Sequence, residues 1–291
     1  MKSYFDINGD GGSNVVAQVV AKREQIARSL AGVRHMLAIG SGKGGGGKST
    51  LTMQIACALR AAGATVGVLD ADLNGPSQAR LAGLSAAPLV PGRDGLVMPR
   101  TASGIGVVSM GLVVPESQSL DFASFAEGDS FVWRATKEFG LLGDFLAGVA
   151  WGELDYLLVD LPPGAERTLQ YAEFLGAQTA LVLVTIPSDL SRGVVSRSIA
   201  GLVKTKNRLL GYVENMSGYY CRGCHAVRPL FESDDSTLGI PLLGSVPFDP
   251  ELARHCDLGI PFTDLRETAV GQALDGIARR LVGDLDSRTQ S

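Results

Sequence analysis

The chain has 291 residues, 45% of them hydrophobic, a formal net charge of -4 and a pI near 5.5, which suits one large α/β domain with a substantial core. The acidic balance, with no lysine or arginine block, excludes the electrostatic footprint of a nucleic-acid binder, and four cysteines, only two of them close together, exclude a secreted disulfide framework. No run approaches the ~20 apolar residues that span a bilayer and the N-terminus has no apolar signal core, so a soluble cytoplasmic protein without nucleic-acid or membrane partners is expected.

Residues 13–35 predict a first helix, capped by Ser13 or Asn14, with Val16, Val19, Val20, Ile26 and Leu30 broadly on one side. This N-terminal segment, 1–34, is expected to be helical and partly flexible, ahead of a domain over 35–285 and a flexible tail at 286–291. The apolar run Met36–Gly40 then reads as a strand, followed by Gly42-Lys-Gly-Gly-Gly-Gly-Lys-Ser49 and a helix-like stretch to Arg60. Strand, glycine loop and helix in this order make the G-x-x-x-x-G-K-S phosphate-binding pattern. Its glycines let backbone N–H groups close on phosphate oxygens, and the helix N-terminus adds a favourable dipole. Gly42, Lys43, Gly44, Gly45, Gly46, Gly47, Lys48, Ser49 and Thr50 are the candidate nucleotide cradle. Lys48 is placed to reach the β and γ phosphates and Ser49 to hold Mg²⁺, and the additional lysine, Lys43, follows the first glycine directly.

Further apolar runs at 65–70, 154–160, 179–185 and 208–213 alternate with helical stretches. Together they predict an α/β P-loop NTPase fold, a mostly parallel twisted sheet with helices on both faces. Ligands of such sheets bind beyond the carboxyl ends of the strands. The phosphate loop, Asp70, Asp72 and Asp160 all fall at that edge. Phosphoryl transfer to water needs a metal clamp, an oriented water and a γ-phosphate sensor. Asp160 is the candidate for accepting bonds from Mg²⁺-bound waters, Gly164 for offering its N–H to the γ-phosphate, and Asp72 for orienting the attacking water. Asp70 is expected to support or contact the metal shell. Lys43, Lys48, Asp72 and Asp160 are therefore the candidate catalytic residues.

Residues 111–132 lack periodicity and read as a long surface excursion. Cys221-Arg-Gly-Cys224, followed by His225, lies in a turn-rich insertion at 217–231 between two strands. Two thiolates at this spacing suit one edge of an iron–sulfur cluster completed by a second copy, a structural zinc, a redox dithiol, or an incidental pair. Cys57 reads as buried core, His35 and His255 as structural or exposed. A C-terminal helix over 267–285 places Val270, Leu274, Ile277, Leu281 and Leu285 on one face, with mixed charge opposite.

These residues resemble the Mrp/ApbC family of iron–sulfur cluster carrier ATPases, within the deviant-Walker group that includes MinD, ParA and the nitrogenase iron protein. The resemblance covers about residues 33–262. It is carried by the stretch Gly32 to Thr50 that includes the loop, Asp70-Ala-Asp-Leu-Asn-Gly-Pro-Ser77, Asp160-Leu-Pro-Pro-Gly164, Val213-Glu-Asn-Met-Ser217 with Cys221 and Cys224, and Val246-Pro-Phe-Asp-Pro250. It implies an ATP-binding and ATP-hydrolysing homodimer that carries a bridging [4Fe-4S] cluster to apo iron–sulfur proteins. Lys43 resembles the lysine that crosses to the partner's nucleotide, Asn215 the asparagine that reads adenine, and Cys221 and Cys224 the pair that shares the cluster. Where the family continues Thr-Gly-Asp after Gly164, this chain has Ala165-Glu166-Arg167, and Gly46 stands where valine is common. A MinD- or ParA-like positioning ATPase, or a nucleotide-gated regulator with zinc at the dimer interface, are the alternatives.

Overall fold

A computed structural model describes residues 15–85, 87–113, 131–221, 223–231, 238–259 and 268–287, with side chains described except at 15–16 and 131–137. Most of the expected excursion at 111–132, the caps proposed at Ser13 and Asn14, and the tail beyond 287 lie outside these residues.

Helix α1 (Val15–Ser29) leads into β1 (Val33–Ser41), the phosphate loop and α2 (Lys48–Ala61). Then follow β2 (Val66–Asp70), a single turn α3 (Gln78–Leu81), the short hairpin β3 (Val90–Pro91) and β4 (Leu96–Val97), and β5 (Gly106–Val108). After α4 (Phe131–Gly148) come β6 (Leu154–Asp160), α5 (Ala165–Leu175), β7 (Thr179–Thr185) and α6 (Asp189–Leu202). The chain closes with β8 (Arg208–Cys221), β9 (Ala226–Pro229), β10 (Leu242–Phe248), α7 (Pro250–Leu258) and α8 (Ala269–Asp286).

The main sheet runs β10-β8-β7-β1-β6-β2-β5, with β9 added to β8. Every pairing along that path is parallel, and β9 alone runs antiparallel to its neighbour. The strand period of two divides the core. Leu37 and Ile39 of β1, Leu158 of β6 and Val182 of β7 pack with Leu51, Ile55 and Leu59 of α2 and Leu274, Ile277 and Leu281 of α8. Met36, Ala38, Leu157, Val159, Leu181 and Leu183 face the opposite layer, with Leu142 and Leu146 of α4, Tyr171 and Leu175 of α5, and Val195 and Leu202 of α6. Each fully buried aliphatic side chain contributes roughly 1.5–3 kcal/mol, so the two layers clamp the sheet that carries the loop. Among the described residues no helix is long and apolar enough to cross a membrane.

Three expectations shift. Strand β1 starts at Val33, ahead of the apolar run at Met36, because its first residues pair with β6 while still partly exposed. On α1, Ile26 and Leu30 pack against the core, whereas Val19 and Val20 are 47% and 50% exposed, so only the C-terminal half of the predicted face is covered. Strand β8 continues well beyond Val213 to Cys221. Its polar residues Glu214, Asn215 and Ser217 interrupt the apolar pattern, and the pairing with β10 shifts register between Asn215 and Tyr219, where Met216 adopts φ 54°.

Candidate functional site: a phosphate loop and a cysteine hairpin

Gly47 begins α2 in the left-handed region, with φ 75°, and no side chain caps the helix. Gly164 begins α5, also without a side-chain cap. By contrast α6, α7 and α8 are capped by Ser188, Asp249 and Thr268. The first-turn N–H groups of α2 therefore have no competing side-chain acceptor, which is the arrangement that binds phosphate. A side chain at Gly45 or Gly46 would meet no other atom within 4 Å, so the face of the loop is open, while a Cβ at Gly42 would strike Val194 at 2.7 Å. Lys43 lies partly exposed on the loop, and its carbonyl accepts from Ser41 Oγ at 3.1 Å.

Behind the loop, Lys48 pairs with Asp160, and both are buried. Lys48 Nζ also donates to Ser49 Oγ at 3.2 Å. Thr52, one turn along α2, donates to Asp160 Oδ1 at 3.2 Å, and Gln78 Nε2 donates to Asp160 Oδ2 at 2.8 Å and to the Ser49 carbonyl at 3.0 Å. Gln78 Oε1 is buried without a protein partner. Ser49 Oγ, the Asp160 carboxylate and this amide oxygen form an all-oxygen donor set, which fits a hard divalent cation such as Mg²⁺.

Asp70 and Asp72 differ in their surroundings. Asp70 is fully buried; its Oδ2 accepts from the N–H groups of Ser77 and Gln78 at 2.8 and 2.9 Å and from Ser109 Oγ at 3.0 Å, and its Oδ1 accepts from the Asp72 N–H at 3.2 Å. Its carboxylate is thus committed to the loop after β2, and it supports the site by anchoring that loop instead of facing a metal shell. Burial first, then the charge of Asp160, pushes its carboxyl up to about 7. Asp72 accepts from the Gly75 N–H at 3.2 Å. Burial raises its pKa, while Lys48 and Arg167 draw it down, so it lies in the field of the phosphate-loop lysine.

Two further candidates are held by contacts within the protein. The Gly164 N–H donates to the Ser41 carbonyl at 2.9 Å, tying the segment after β6 to the end of β1, so in this conformation it is not offered to a phosphate. Asn215, implied by resemblance to read adenine, donates its Nδ2 to the Gly46 carbonyl at 2.9 Å. It lies so close to Gly47 that a Cβ there would fall 2.2 Å from Nδ2. Strand β8 therefore braces the phosphate loop directly.

The same strand ends in Cys221, and Cys224 lies in the turn to β9, with Cys221 paired opposite Ala226. The N–H and thiol of Cys224 and the N–H of Gly223 hydrogen-bond Cys221 Sγ and lower its pKa, with a smaller contribution from Arg228. Backbone N–H groups aimed at a sulfur favour the thiolate, the form that binds metal. His225 adopts φ 55°, and its Nδ1 lies 3.1 Å from Tyr220 Oη.

Cys57 and Cys256 are buried away from this hairpin, on α2 and α7. His35 contacts Asp286 at 3.1 Å and His255 contacts Glu251 at 3.2 Å, so neither stands alone. Gln78, Thr52 and Glu138 have no prominence in the sequence. Thr52 could have been found from its i+4 spacing to Lys48 on one helix face. Gln78 and Glu138 reach the site from α3 and α4, at positions that no local motif marks.

The model of the family described as NUBPL iron-transfer P-loop NTPase, of the ParA group, matches residues 32–282. The chain is 37% identical over 268 residues to the bovine cytosolic Fe-S cluster assembly factor NUBP2, covering 88% of this chain and 95% of that protein. It is likewise 37% identical over 267 residues to an iron-sulfur cluster carrier protein of Deinococcus radiodurans, covering 90% and 73%. Among solved structures, a nucleotide-binding protein of Archaeoglobus fulgidus in complex with ADP aligns with TM-score 0.68 and 33% identity over 81% of this chain and 90% of that one. The cell division ATPase MinD of Pyrococcus furiosus aligns with TM-score 0.61 and 20% identity over 86% and 99%, a likeness of fold. With its glycine-capped phosphate loop at the centre of a parallel sheet, the chain belongs to the NUBPL iron-transfer P-loop NTPase family.

Proposed function

We propose that this protein is an ATP-dependent iron–sulfur cluster carrier. Two copies bind MgATP at their phosphate loops, share a [4Fe-4S] cluster as cargo between their Cys221–Cys224 pairs, and deliver it to apo iron–sulfur proteins. The observation that carries this reading is β8, a single strand that touches the phosphate loop through Asn215 and ends in the cysteine pair. Nucleotide occupancy and sulfur geometry thus share one strand, with the bulge at Met216 lying between them. The names of the relatives, carrier and assembly factor for iron–sulfur clusters, agree with it.

Among the described residues no group of three or more histidine, cysteine or carboxylate side chains converges to hold a metal. The pair therefore supplies two ligands, and a two-fold dimer brings four thiolates together. Ser49 and Asp160 would hold Mg²⁺, which would neutralise charge on the phosphates, and Lys48, now paired with Asp160, would reach those phosphates. Asp72 orients the attacking water, and Lys43 reaches the nucleotide of the second copy, making hydrolysis depend on dimerisation.

The test is iron, acid-labile sulfide and zinc per dimer after anaerobic purification and reconstitution, for the intact chain and a Cys221→Ala/Cys224→Ala variant. Near-stoichiometric iron and sulfide, lost in the variant while nucleotide affinity persists, is the expected result. Zinc in place of iron, or iron retained by the variant, overturns the carrier reading.

A further inference from the structure

The segment after Gly164 departs from the family pattern, and the structure shows where its arginine goes. Arg167 lies in the first turn of α5, its Cγ 3.7 Å from where a Cβ on Gly164 would stand. Its Nη2 donates to Glu138 Oε2 at 2.5 Å and to Tyr171 Oη at 3.3 Å, and the guanidinium lies 5.5 Å from the centre of the Tyr171 ring. Glu138, on α4, is 6% exposed. Its other oxygen, Oε1, accepts from Asn74 Nδ2 at 2.7 Å. A chain of contacts therefore runs from the segment after β6, through α4, to the loop that follows β2.

That loop carries Asp72. Asp70 anchors its far end through the Ser77 and Gln78 N–H groups, but its exposed middle is held to the body of the protein by Asn74 on Glu138. The buried Glu138 carboxylate is held in place by an ion pair, since a buried carboxylate without a partner is disfavoured. Arg167 is that partner. Without it Glu138 Oε2 would lose its partner and the carboxylate would be free to turn to solvent, which would break the bond to Asn74.

We propose that Arg167 is a positioning residue for nucleotide hydrolysis: through Glu138 and Asn74 it holds the Asp72 loop in register with the phosphate loop. The inference rests on the reading of this chain as an ATPase in which Asp72 orients the attacking water. Arg167 touches neither water nor phosphate in this role. It fixes the distance between the two loops at the place where the departure Ala165-Glu166-Arg167 has altered the sequence.

The test is steady-state ATP hydrolysis by the full chain carrying Arg167→Ala, Arg167→Lys, Asn74→Ala, Asp72→Asn, or Asp72→Asn with Arg167→Ala. Misplacement of about 1 Å costs on the order of 100-fold in rate, so Arg167→Ala is expected to lower kcat by roughly 10- to 100-fold with KM for ATP within about twofold. Arg167→Lys should restore part of kcat. Asn74→Ala breaks the last link at an exposed position that does not threaten folding, and should lower kcat in the same way. In the Asp72→Asn background Arg167→Ala should add no further loss. An unchanged kcat in Asn74→Ala, a raised KM with unchanged kcat in Arg167→Ala, or additive losses in the double variant would each overturn the positioning role. A wild-type kcat in Asp72→Asn alone would instead remove Asp72 from the reaction, and with it this inference, while leaving the cysteine-based carrier reading to its own metal analysis.

Discussion

Asn215 donates to the carbonyl of Gly46, and Cys221 closes the same strand, so the phosphate loop and the cysteine hairpin are joined by one continuous run of backbone. The bond is buried, and removing its donor leaves the Gly46 carbonyl unsatisfied at a cost of roughly 1–3 kcal/mol. Asn215→Ala is therefore expected to weaken nucleotide affinity by about tenfold or more. Cluster content after reconstitution should stay near wild type, while the response of cluster release to ATP is lost. Isothermal titration with nucleotide, paired with cluster-transfer rates with and without ATP, reads both effects. A variant whose transfer still responds fully to ATP would show that β8 is not the coupling element.

The neighbouring glycines differ in what they tolerate. Gly47 has φ 75° and faces Asn215 Nδ2 at 2.2 Å from an added Cβ, whereas Gly46 has no positive φ and nothing within 4 Å. Gly47→Ala should abolish measurable nucleotide binding through combined backbone strain and collision. Gly46→Ala removes only unfolded-state freedom, and is expected to stabilise by about 0.4–1 kcal/mol with nucleotide affinity within twofold. Thermal melting and nucleotide titration of the two variants, side by side, check the contrast.

Much of the fold and site was legible because local patterns report local physics. The strands at 154–160 and 179–185 fall on the residues whose near-continuous apolar character marks burial on both faces. The phosphate loop announces itself by its spacing, since only glycines allow that turn. The contacts of Asp70, Gly164 and Asn215 are not legible in sequence because they involve partners far along the chain: Ser109 for Asp70, Ser41 for Gly164, Gly46 for Asn215. A strand-end carboxylate looks the same in sequence whether it faces a ligand or a loop. Which way it turns is decided by the packing of β5 and α3 against β2, and no motif encodes that.

Lys48 and Asp160 form a buried pair whose members depend on each other. Deleting one member of such a pair typically costs about 3–5 kcal/mol, because the other is left as an uncompensated charge. Lys48→Ala should thus lower the melting temperature by well over the few degrees of a surface change, in addition to eliminating hydrolysis. The double variant Lys48→Met/Asp160→Asn should recover much of the stability and none of the activity. If Lys48→Ala melts with the wild type, the pairing does not persist in solution.

Asp70 makes the stability of the loop after β2 depend on pH. Its carboxyl is raised from 3.8 to about 7 in the folded chain, mainly by burial. A group whose pKa is raised on folding contributes stability that is fully present below its unfolded value and lost as pH rises through the folded one. The contribution from Asp70 is therefore present below about pH 4 and declines up to about pH 7. Asp70→Asn keeps an oxygen acceptor for the Ser77 and Gln78 N–H groups but cannot ionise, so the difference in stability between variant and wild type should shift in favour of the variant between pH 4 and pH 7. Urea denaturation of both proteins at several pH values across this window measures that difference directly. A difference that stays constant, or moves toward the wild type as pH rises, would mean that the four donors around Asp70 outweigh its desolvation and that it remains ionised throughout.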